Sequence, residues 1–396
     1  MNAIVYISDA LRPDHLGCYG ARFVNTATID GFAAESVRFD EVITAAAWTA
    51  PAMTSIATGL YPHHHGVFDW GNPLEPDVET LFHSFARAGH AVGSFVFDDD
   101  YLFKGIPEAG VQGRSEDFDQ VLAWLADHAG GPFLLVVHSW ATHMPYNVSH
   151  RERKTWKSAK AEFIDAIRSG TAEGVERCRE AYRQAVEYQS ETLFASLLEQ
   201  VERLGLRENT AIVFGADHGE SWGERYPDKH AVQGMYHLHG AELYDEILRV
   251  PLIVRAPGLL DPAVVTGQVR TVDITPTLRE LASLPEAEAD GASLVAAARG
   301  QEPGDRLAVS ITSDRGNISR AAVRGRPWKL MRDLQTGREQ AFRLDVDPRE
   351  RVDRIDGVPQ ELRDLLEREL AGIDRRVISD EEEEAIEARL SDLGYL

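Results

Sequence analysis

The chain of 396 residues is poor in cysteine, in lysine and in long apolar runs. Its two cysteines, Cys18 and Cys178, are too few for a disulfide framework or a thiolate metal site. The 64 acidic residues outnumber the 41 basic ones, of which only six are lysines, and the net charge is −23. Nucleic acids and anionic membrane surfaces both require a basic binding surface, so we expect the chain to bind neither.

The longest apolar runs fall well short of the ~20 residues that a membrane-spanning helix requires. The first ten residues, MNAIVYISDA, have neither the basic start nor the small-residue cleavage site of a secretory signal. They are instead typical of a buried strand that begins at residue 3. We therefore expect a cytoplasmic protein without a membrane span, and the composition leaves a homo-oligomer possible.

Apolar runs of strand length alternate with helical patterns through the first two thirds of the chain. The predicted strands cover 3–8, 91–97, 133–138, 211–215 and 251–254, and the predicted helices 28–37, 51–58, 78–89, 117–128 and 173–204. This alternation predicts an α/β fold with a largely parallel central sheet flanked by helices. Ligand sites in such sheets lie beyond the carboxyl ends of the strands, where Asp9, His138 and Asp217-His218 occur.

The last third of the chain changes character. Residues 255–305 are rich in Pro, Gly and Ala, and their composition predicts a linker with one helix near 275–283. Short strand patterns follow at 307–312, 319–324, 328–332 and 340–344, and amphipathic helical patterns at 359–374 and 380–393. These patterns predict a catalytic domain over 1–304 and a small C-terminal subdomain, an antiparallel sheet plus helices, over 305–396.

Thr49 stands where a loop enters a predicted helix. The N-terminus of a helix has unpaired N–H groups and a partial positive charge, which favour an anion such as a phosphate or sulfate ester. A hydroxyl at that place is a candidate nucleophile. The alternative is that Thr49 only caps the helix, a role for which threonine is well suited.

Three further segments carry residues suited to metal or acid–base chemistry. Asp9 directly follows the first predicted strand, and Asp217-His218-Gly219-Glu220 follows the fourth. An adjacent Asp and His at a strand end can present an oxygen and a nitrogen to one metal ion. The third segment, residues 237–251, contains His239. Each segment alone is a weak signal, because an Asp after a strand more often caps a helix.

Taken together and in this order, these segments resemble the sulfatase branch of the alkaline phosphatase superfamily. The resemblance covers nearly the whole chain and rests on residues 9–20, 58–66, 217–220 and 243–251, and on the final Leu-Gly-Tyr-Leu. It implies an alkaline phosphatase-like fold and an ester hydrolase.

The chain departs from the sulfatase pattern at several positions. Thr49 occupies the place of the Cys or Ser that sulfatases oxidise to formylglycine, and Pro51 is followed by Ala52-Met53 instead of Ser-Arg. Ala10 replaces a second adjacent acid, and the family's Asp-Pro-His triplet reads Ala-Thr-His at 141–143. Threonine cannot be converted to formylglycine by that route.

A threonine at this position instead resembles the nucleotide pyrophosphatase/phosphodiesterases and the phosphoglycerol transferases, in which its alkoxide attacks phosphorus. A formylglycine hydrate releases sulfate by collapsing to the aldehyde, whereas a Thr ester needs a second in-line attack. Phosphorus accepts that attack readily with metal assistance. We therefore expect phosphate mono- or diesters or phosphonate esters as small-molecule substrates. The alternatives are a sulfatase without formylglycine, a phospho-group transferase and a non-catalytic binding relative.

The resemblance implies one divalent ion, Mn²⁺, Mg²⁺, Ca²⁺ or Zn²⁺, held by Asp9, Asp217, His218 and the Thr49 oxygen. A second ion is possible but less expected, because Ala141 leaves a second ligand set without an acid.

His239 and His143 are the remaining predicted catalytic residues. Either could bind a non-bridging oxygen or protonate the leaving group. The alternative for both is packing or hydrogen bonding within loops.

Overall fold

The computed structural model describes residues 1–69, 72–96, 102–146, 153–169, 171–222, 239–302, 305–314 and 317–371. The predicted helix at 380–393 and the end of the C-terminal tail lie outside these residues. Within the described ranges, twelve strands form two sheets. In the same ranges, no helix has both the length and the apolar character needed to cross a membrane.

The strands are β1 (Asn2–Ser8), β2 (Val37–Ile43), β3 (Ala91–Val96), β4 (Val111–Arg114), β5 (Phe133–Ser139), β6 (Thr210–Ala216), β7 (Arg249–Arg255), β8 (Ala263–Arg270), β9 (Ala308–Asp314), β10 (Asn317–Arg324), β11 (Trp328–Asp333) and β12 (Glu339–Arg343). The α-helices are α1 (Ala27–Ala34), α2 (Thr49–Thr58), α3 (Pro62–His65), α4 (Leu81–Arg87), α5 (Phe118–His128), α6 (Arg153–Arg168), α7 (Ala172–Tyr188), α8 (Ala195–Arg203), α9 (Asp245–Leu248), α10 (Ile274–Leu281), α11 (Val295–Ala298) and α12 (Gln360–Leu370).

The larger sheet has the strand order β4-β3-β5-β1-β6-β7-β2-β8. Its pairings are parallel except for the two made by β7, which is antiparallel to β6 and to β2. All residues of β1, β5 and β6 are buried, which explains their continuous apolar sequences. The predicted α/β class with a mostly parallel sheet is confirmed.

The centre of this sheet determines where the site forms. β1 lies between β5 and β6, and Ser8 is in register with both Ser139 and Ala216. Three strands therefore end at the same level, and Asp9 and Asp217 follow directly. His138 points from β5 one residue earlier, opposite Ile7.

The smaller sheet has the order β12-β11-β10-β9 and is antiparallel, as predicted. It rests against the segment between β2 and α2, where Ala46 bridges to Ile311 and Ser310 Oγ donates to the Thr44 carbonyl at 2.6 Å. α12 covers this sheet with Leu362 and Leu366. The small sheet thus supports the chain just before α2.

The helix predicted near 275–283 is confirmed as α10, but the rest of the predicted linker at 255–305 is wrong. This stretch contains β8, which pairs in parallel with β2 at the edge of the large sheet, and the helices α10 and α11. The burial of β8 is interrupted by exposed positions, so its sequence lacks the continuous apolar run of a central strand.

Two helical regions also differ from the sequence-based expectation. Residues 144–172 have no motif that predicts structure, yet they contain the 16-residue α6. The long helix predicted near 173–204 is divided into α7, a π-helical segment at Gln189–Phe194, and α8. Gln189, in the π-helical segment, hydrogen-bonds Ser8 and Ser139 beneath the site.

Candidate active site

Thr49 is the first residue of α2. The N-cap is Trp48, and within the described residues no side-chain hydrogen bond caps this helix. The Thr49 side chain is buried, with 4 % exposed, and its Oγ1 lies 3.4 Å from Asp9 Oδ2 and 3.3 Å from His218 Nε2. The alternative of a simple helix cap is therefore wrong, because the hydroxyl faces the acids at the sheet edge.

Backbone hydrogen bonds hold the two carboxylates in place. The Asp9 N–H donates to the Ser139 carbonyl at 2.8 Å, so Asp9 continues the β1–β5 pairing. Ala10 then adopts a positive φ of 58°, and its N–H donates to Asp217 Oδ1 at 3.2 Å. Positive φ in a residue with a Cβ is strained and is concentrated at functional sites. Asp9 and Asp217 are completely buried.

His218 presents a lone pair to these acids. Its Nδ1 donates to the Gly219 carbonyl at 2.8 Å, and burial lowers the pKa of its imidazole to about 4, so Nε2 is unprotonated at neutral pH. This Nε2 lies 3.4 Å from Asp9 Oδ1 and 3.5 Å from Asp217 Oδ2. Asp9 Oδ1 has no hydrogen-bond partner among the described residues. A nitrogen lone pair and two carboxylate oxygens repel one another in a buried site unless a cation lies between them.

The donor set therefore fits a divalent metal. Asp9, Asp217 and His218 each offer one ligand atom, and these atoms lie within 4.8 Å of one another. Carboxylate, imidazole and hydroxyl donors suit Mn²⁺, Mg²⁺ or Zn²⁺. The structure thus brings together all four of the metal-site residues expected from the sequence, with Thr49 as the fourth.

The two carboxylates have different pKa values. Burial raises the pKa of Asp9 well above its usual range, and the charges of Asp217 and Glu220 add to this effect. Burial also acts on Asp217, but the charges of His218 and His138 outweigh it and lower the pKa of that carboxyl. Without a metal the site thus favours a proton on Asp9, which a bound cation would displace.

His239 is buried beside this cluster, and its ring centroid is 4.5 Å from that of His218. Its Nδ1 lies 3.0 Å from Glu220 Oε1, and the carboxylate can only accept, so Nδ1 carries the proton. The other Glu220 oxygen accepts a hydrogen bond from Tyr146 Oη at 2.7 Å, and Tyr146 accepts from Trp222 Nε1 at 3.1 Å. This chain fixes the ring of His239.

His143 completes the set of predicted catalytic residues. Its ring lies 5.2 Å from the ring of His239 and stacks on Trp140 at 4.0 Å. Its Nδ1 donates to the Met144 carbonyl at 2.6 Å. Burial lowers the pKa of His143 well below its usual value, as do the neighbouring imidazoles, which keeps the ring neutral. The structure thus places both predicted histidines in the site.

His138, a candidate by its position at a strand end, was given no metal or catalytic role by the sequence, yet it contacts both acids. It is 1 % exposed, and its Nε2 lies 3.3 Å from Asp217 Oδ2 and 3.5 Å from Asp9 Oδ2. The sequence shows only a polar residue at the end of a strand. That this strand, β5, lies next to β1 is a property of the tertiary structure.

Lys160 is a buried residue near the site that the sequence did not indicate. It lies on α6, its side chain is fully buried, and burial lowers its pKa well below the usual value. The charges of Glu220 and Asp9 act in the opposite direction, so this amine belongs to the same electrostatic cluster. No sequence signal pointed to it, because residues 144–172 carry no motif and only the fold brings α6 to this site.

These features can be compared with known proteins. The family profile described as sulfatase matches residues 1–284. The chain belongs to the sulfatase family. Members of this family are ester hydrolases that bind a divalent metal, and the buried Asp9-Asp217-His218 cluster is the corresponding candidate site in this chain.

Curated relatives are distant. An ulvan-active sulfatase of Formosa agariphila is 25 % identical over 76 % of this chain and 58 % of its own length. A low-salt glycan biosynthesis sulfotransferase of Haloferax volcanii is 27 % identical over 74 % of this chain and 64 % of its own length. The chain thus spans about three fifths of these two relatives.

Solved structures share the fold. The phosphonate monoester hydrolase SpPMH from Silicibacter pomeroyi superposes with a TM-score of 0.72 at 18 % identity, over 93 % of this chain and 94 % of that chain. A 2-O GAG sulfatase superposes with a TM-score of 0.75 at 18 % identity, over 93 % and 91 % of the two chains. One architecture therefore occurs in proteins named for phosphorus esters and in proteins named for sulfate esters.

Proposed function

We propose that this sulfatase-family chain is a metal-dependent ester hydrolase with Thr49 as its nucleophile, acting on phosphate mono- or diesters or phosphonate esters. The observation that carries the proposal is the position of Thr49 Oγ1, within 3.4 Å of both Asp9 Oδ2 and His218 Nε2. This position supports a role for the hydroxyl in the donor set, since among the described residues no side-chain hydrogen bond caps α2.

In the first step the Thr49 oxygen attacks phosphorus in line, its bond to phosphorus forms, and the bond from phosphorus to the leaving alcohol oxygen breaks. A divalent ion held by Asp9, Asp217 and His218 would lower the pKa of the Thr49 hydroxyl and offset the negative charge on the substrate oxygens. In the second step water attacks phosphorus, passes its proton to the His239 Nε2 that gave one to the leaving alcohol, and the bond from phosphorus to the Thr49 oxygen breaks.

Proton transfer to the leaving alcohol is assigned to His239. Glu220 holds the proton on Nδ1 of this ring, so Nε2 is the atom left to exchange a proton with the substrate. Glu220 also stabilises the protonated imidazole, as a carboxylate does in other hydrolases that use a histidine acid. His143, kept neutral, is assigned to binding a non-bridging oxygen.

The preference for phosphorus rests on the chemistry of threonine. A Thr ester cannot collapse to an aldehyde, so its release needs a second substitution at the same centre. The fold shared with a phosphonate monoester hydrolase is compatible with such a reaction.

A substrate screen tests the proposal. The full chain, stripped of metal, would be assayed with p-nitrophenyl phosphate, bis-p-nitrophenyl phosphate, a phenylphosphonate ester and p-nitrophenyl sulfate, each with added Mn²⁺, Mg²⁺, Ca²⁺ or Zn²⁺. We expect turnover of at least one phosphorus ester. Turnover of the sulfate ester alone would instead establish a sulfatase that works without formylglycine. No turnover of any of the four esters would favour a non-catalytic binding protein.

Group transfer is a second candidate, favoured by one observation. The Haloferax volcanii relative is described as a sulfotransferase, and an ester on Thr49 can be resolved by an alcohol as well as by water. Adding glycerol or a simple sugar during turnover distinguishes the two. A transferase yields the new ester as the main product, whereas a hydrolase releases mainly inorganic phosphate.

A further inference from the structure

A second group of metal-ligating side chains lies at the other end of α2 from Thr49, a helix length of ~15 Å away. His63 and His64 belong to α3, and their ring centroids are 4.1 Å apart. Glu369 approaches them from α12, the helix that covers the small sheet. Each of the three residues offers one ligand atom, and these atoms lie within 4.8 Å of one another.

Carboxylates hold both rings in this position. His63 Nε2 lies 3.1 Å from Glu369 Oε2, and His64 Nδ1 lies 2.8 Å from Asp290 Oδ2. Asp290 also accepts the Tyr61 N–H at 2.7 Å, so its carboxylate is fixed to the turn that begins α3. Asp290 thus orients His64 from outside the three-residue group, as a carboxylate commonly does for a metal-bound histidine.

Ion pairing alone leaves the group incompletely satisfied. The His63 side chain is 2 % exposed, and its Nδ1 is buried without a hydrogen-bond partner among the described residues. Such a buried, unpartnered ring nitrogen is explained by a bound ion.

We propose that His63, His64 and Glu369 form a second metal site that binds a first-row transition ion such as Zn²⁺. Two imidazoles and one carboxylate favour Zn²⁺, Ni²⁺ or Cu²⁺ over Mg²⁺ and Ca²⁺, which prefer oxygen ligands. The site joins α3, next to the helix of the nucleophile, to α12 on the small sheet. Its role is structural, because an ion that binds only the folded chain stabilises it.

Metal counting on the full chain tests this site separately from the active site. The metal-stripped protein would be equilibrated with Zn²⁺ in the presence of excess Mg²⁺. Its bound zinc would be measured by inductively coupled plasma mass spectrometry. Two variants remove a ligand: His64→Ala, at a side chain that is 45 % exposed, and Glu369→Gln. The matched control is Glu367→Gln, on the same helix but paired with Arg332.

We expect His64→Ala and Glu369→Gln each to bind one zinc fewer than wild type, and Glu367→Gln to bind the wild-type number. The double variant Asp9→Asn/Asp217→Asn should keep the zinc at α3. Zinc should also raise the melting temperature of wild type and Glu367→Gln more than that of His64→Ala. Equal zinc content in wild type, His64→Ala and Glu369→Gln would overturn the proposal. Far-ultraviolet circular dichroism identifies a misfolded variant, in which case the other ligand variant decides.

Discussion

Nδ1 of His239 lies 3.0 Å from Oε1 of Glu220, and both side chains are buried next to the proposed metal ligands. The carboxylate determines which nitrogen of the ring carries its proton, so the opposite nitrogen is available to a substrate. Glu220 therefore acts through His239, as a positioning residue.

Replacing Glu220 with Gln should slow the hydrolysis of alkyl esters about 10- to 100-fold, because the ring loses its charged partner. The loss should be smaller for p-nitrophenyl esters, since p-nitrophenolate leaves without a proton. Steady-state kinetics with both leaving groups measure the difference. In the double variant Glu220→Gln/His239→Ala the losses should not add, because the two residues act as one unit. Equal losses for both leaving groups would contradict the role of His239 as an acid.

Thr49→Ala should lower kcat by about 10³-fold or more, because the nucleophile is removed. Thr49→Ser keeps a hydroxyl and should retain part of the activity. The control is Thr54→Ser, on the same helix, where the hydroxyl donates to the Ala50 carbonyl at 2.8 Å. An acid quench during turnover should leave phosphate on the peptide that contains Thr49. Wild-type rates in Thr49→Ala would refute the assignment.

Removing metal should abolish activity, and one equivalent of Mn²⁺ at the Asp9-Asp217-His218 set should restore it. Mn²⁺ prefers oxygen-rich sites, so the histidine pair at α3 should not compete strongly for it. Electron paramagnetic resonance during a Mn²⁺ titration counts the bound ions. Asp9→Asn should bind Mn²⁺ far more weakly than wild type. Two tight Mn²⁺ ions per chain in the His64→Ala variant, which lacks a ligand at α3, would show that the active site holds a second metal.

His138→Ala should destabilise the metal-free chain by about 3 kcal/mol, because its imidazole N–H faces both Asp9 and Asp217. A bound cation offsets the same carboxylate charge, so Mn²⁺ should reduce the difference from wild type. Urea unfolding with a chelator and again with Mn²⁺ gives the loss of unfolding free energy in each condition. The cavity left by the missing ring is the same in both, so the difference between the two losses reports the charge effect. His90→Ala, remote from the acids, should show no such dependence on metal. A deficit of equal size in both conditions would disprove this role.

Asp245 makes a contribution to stability that depends on pH. Burial raises the pKa of its carboxyl, but the charges of Arg324 and Lys329 outweigh this effect and lower it below the usual range. A group with a lowered folded-state pKa stabilises the fold fully above its unfolded pKa of about 4, and this stabilisation is lost progressively as the pH falls from that value through the folded-state pKa.

Asp245→Asn should therefore cost about 3 kcal/mol of unfolding free energy at pH 7 and clearly less at pH 3. Urea unfolding at the two pH values measures it. Asp345→Asn, at an exposed carboxylate paired with Arg343, is the control and should unfold like wild type at pH 7. A cost for Asp245→Asn that does not change with pH would mean that the ion pairs contribute nothing.

The local sequence predicted those features of the fold that depend on a single strand or helix. The apolar runs of β1, β5 and β6 predicted buried parallel strands because no polar residue interrupts them. Asp9 and Asp217 could be predicted as neighbours, since parallel strands end at one edge of a sheet. The edge strand β8 could not be predicted from the sequence. Its interrupted burial leaves only a weak apolar pattern, which lies between Pro- and Gly-rich segments.

The order of Asp9, Thr49, Asp217-His218 and His239 along the chain was enough to determine the family and the candidate site, because these residues follow strands or begin a helix. Tertiary structure alone decided what those residues contact. It placed the Thr49 hydroxyl beside Asp9 and His218, and it brought His138 from a neighbouring strand between two acids. Such contacts depend on strand order and register, which sequence-local patterns do not encode.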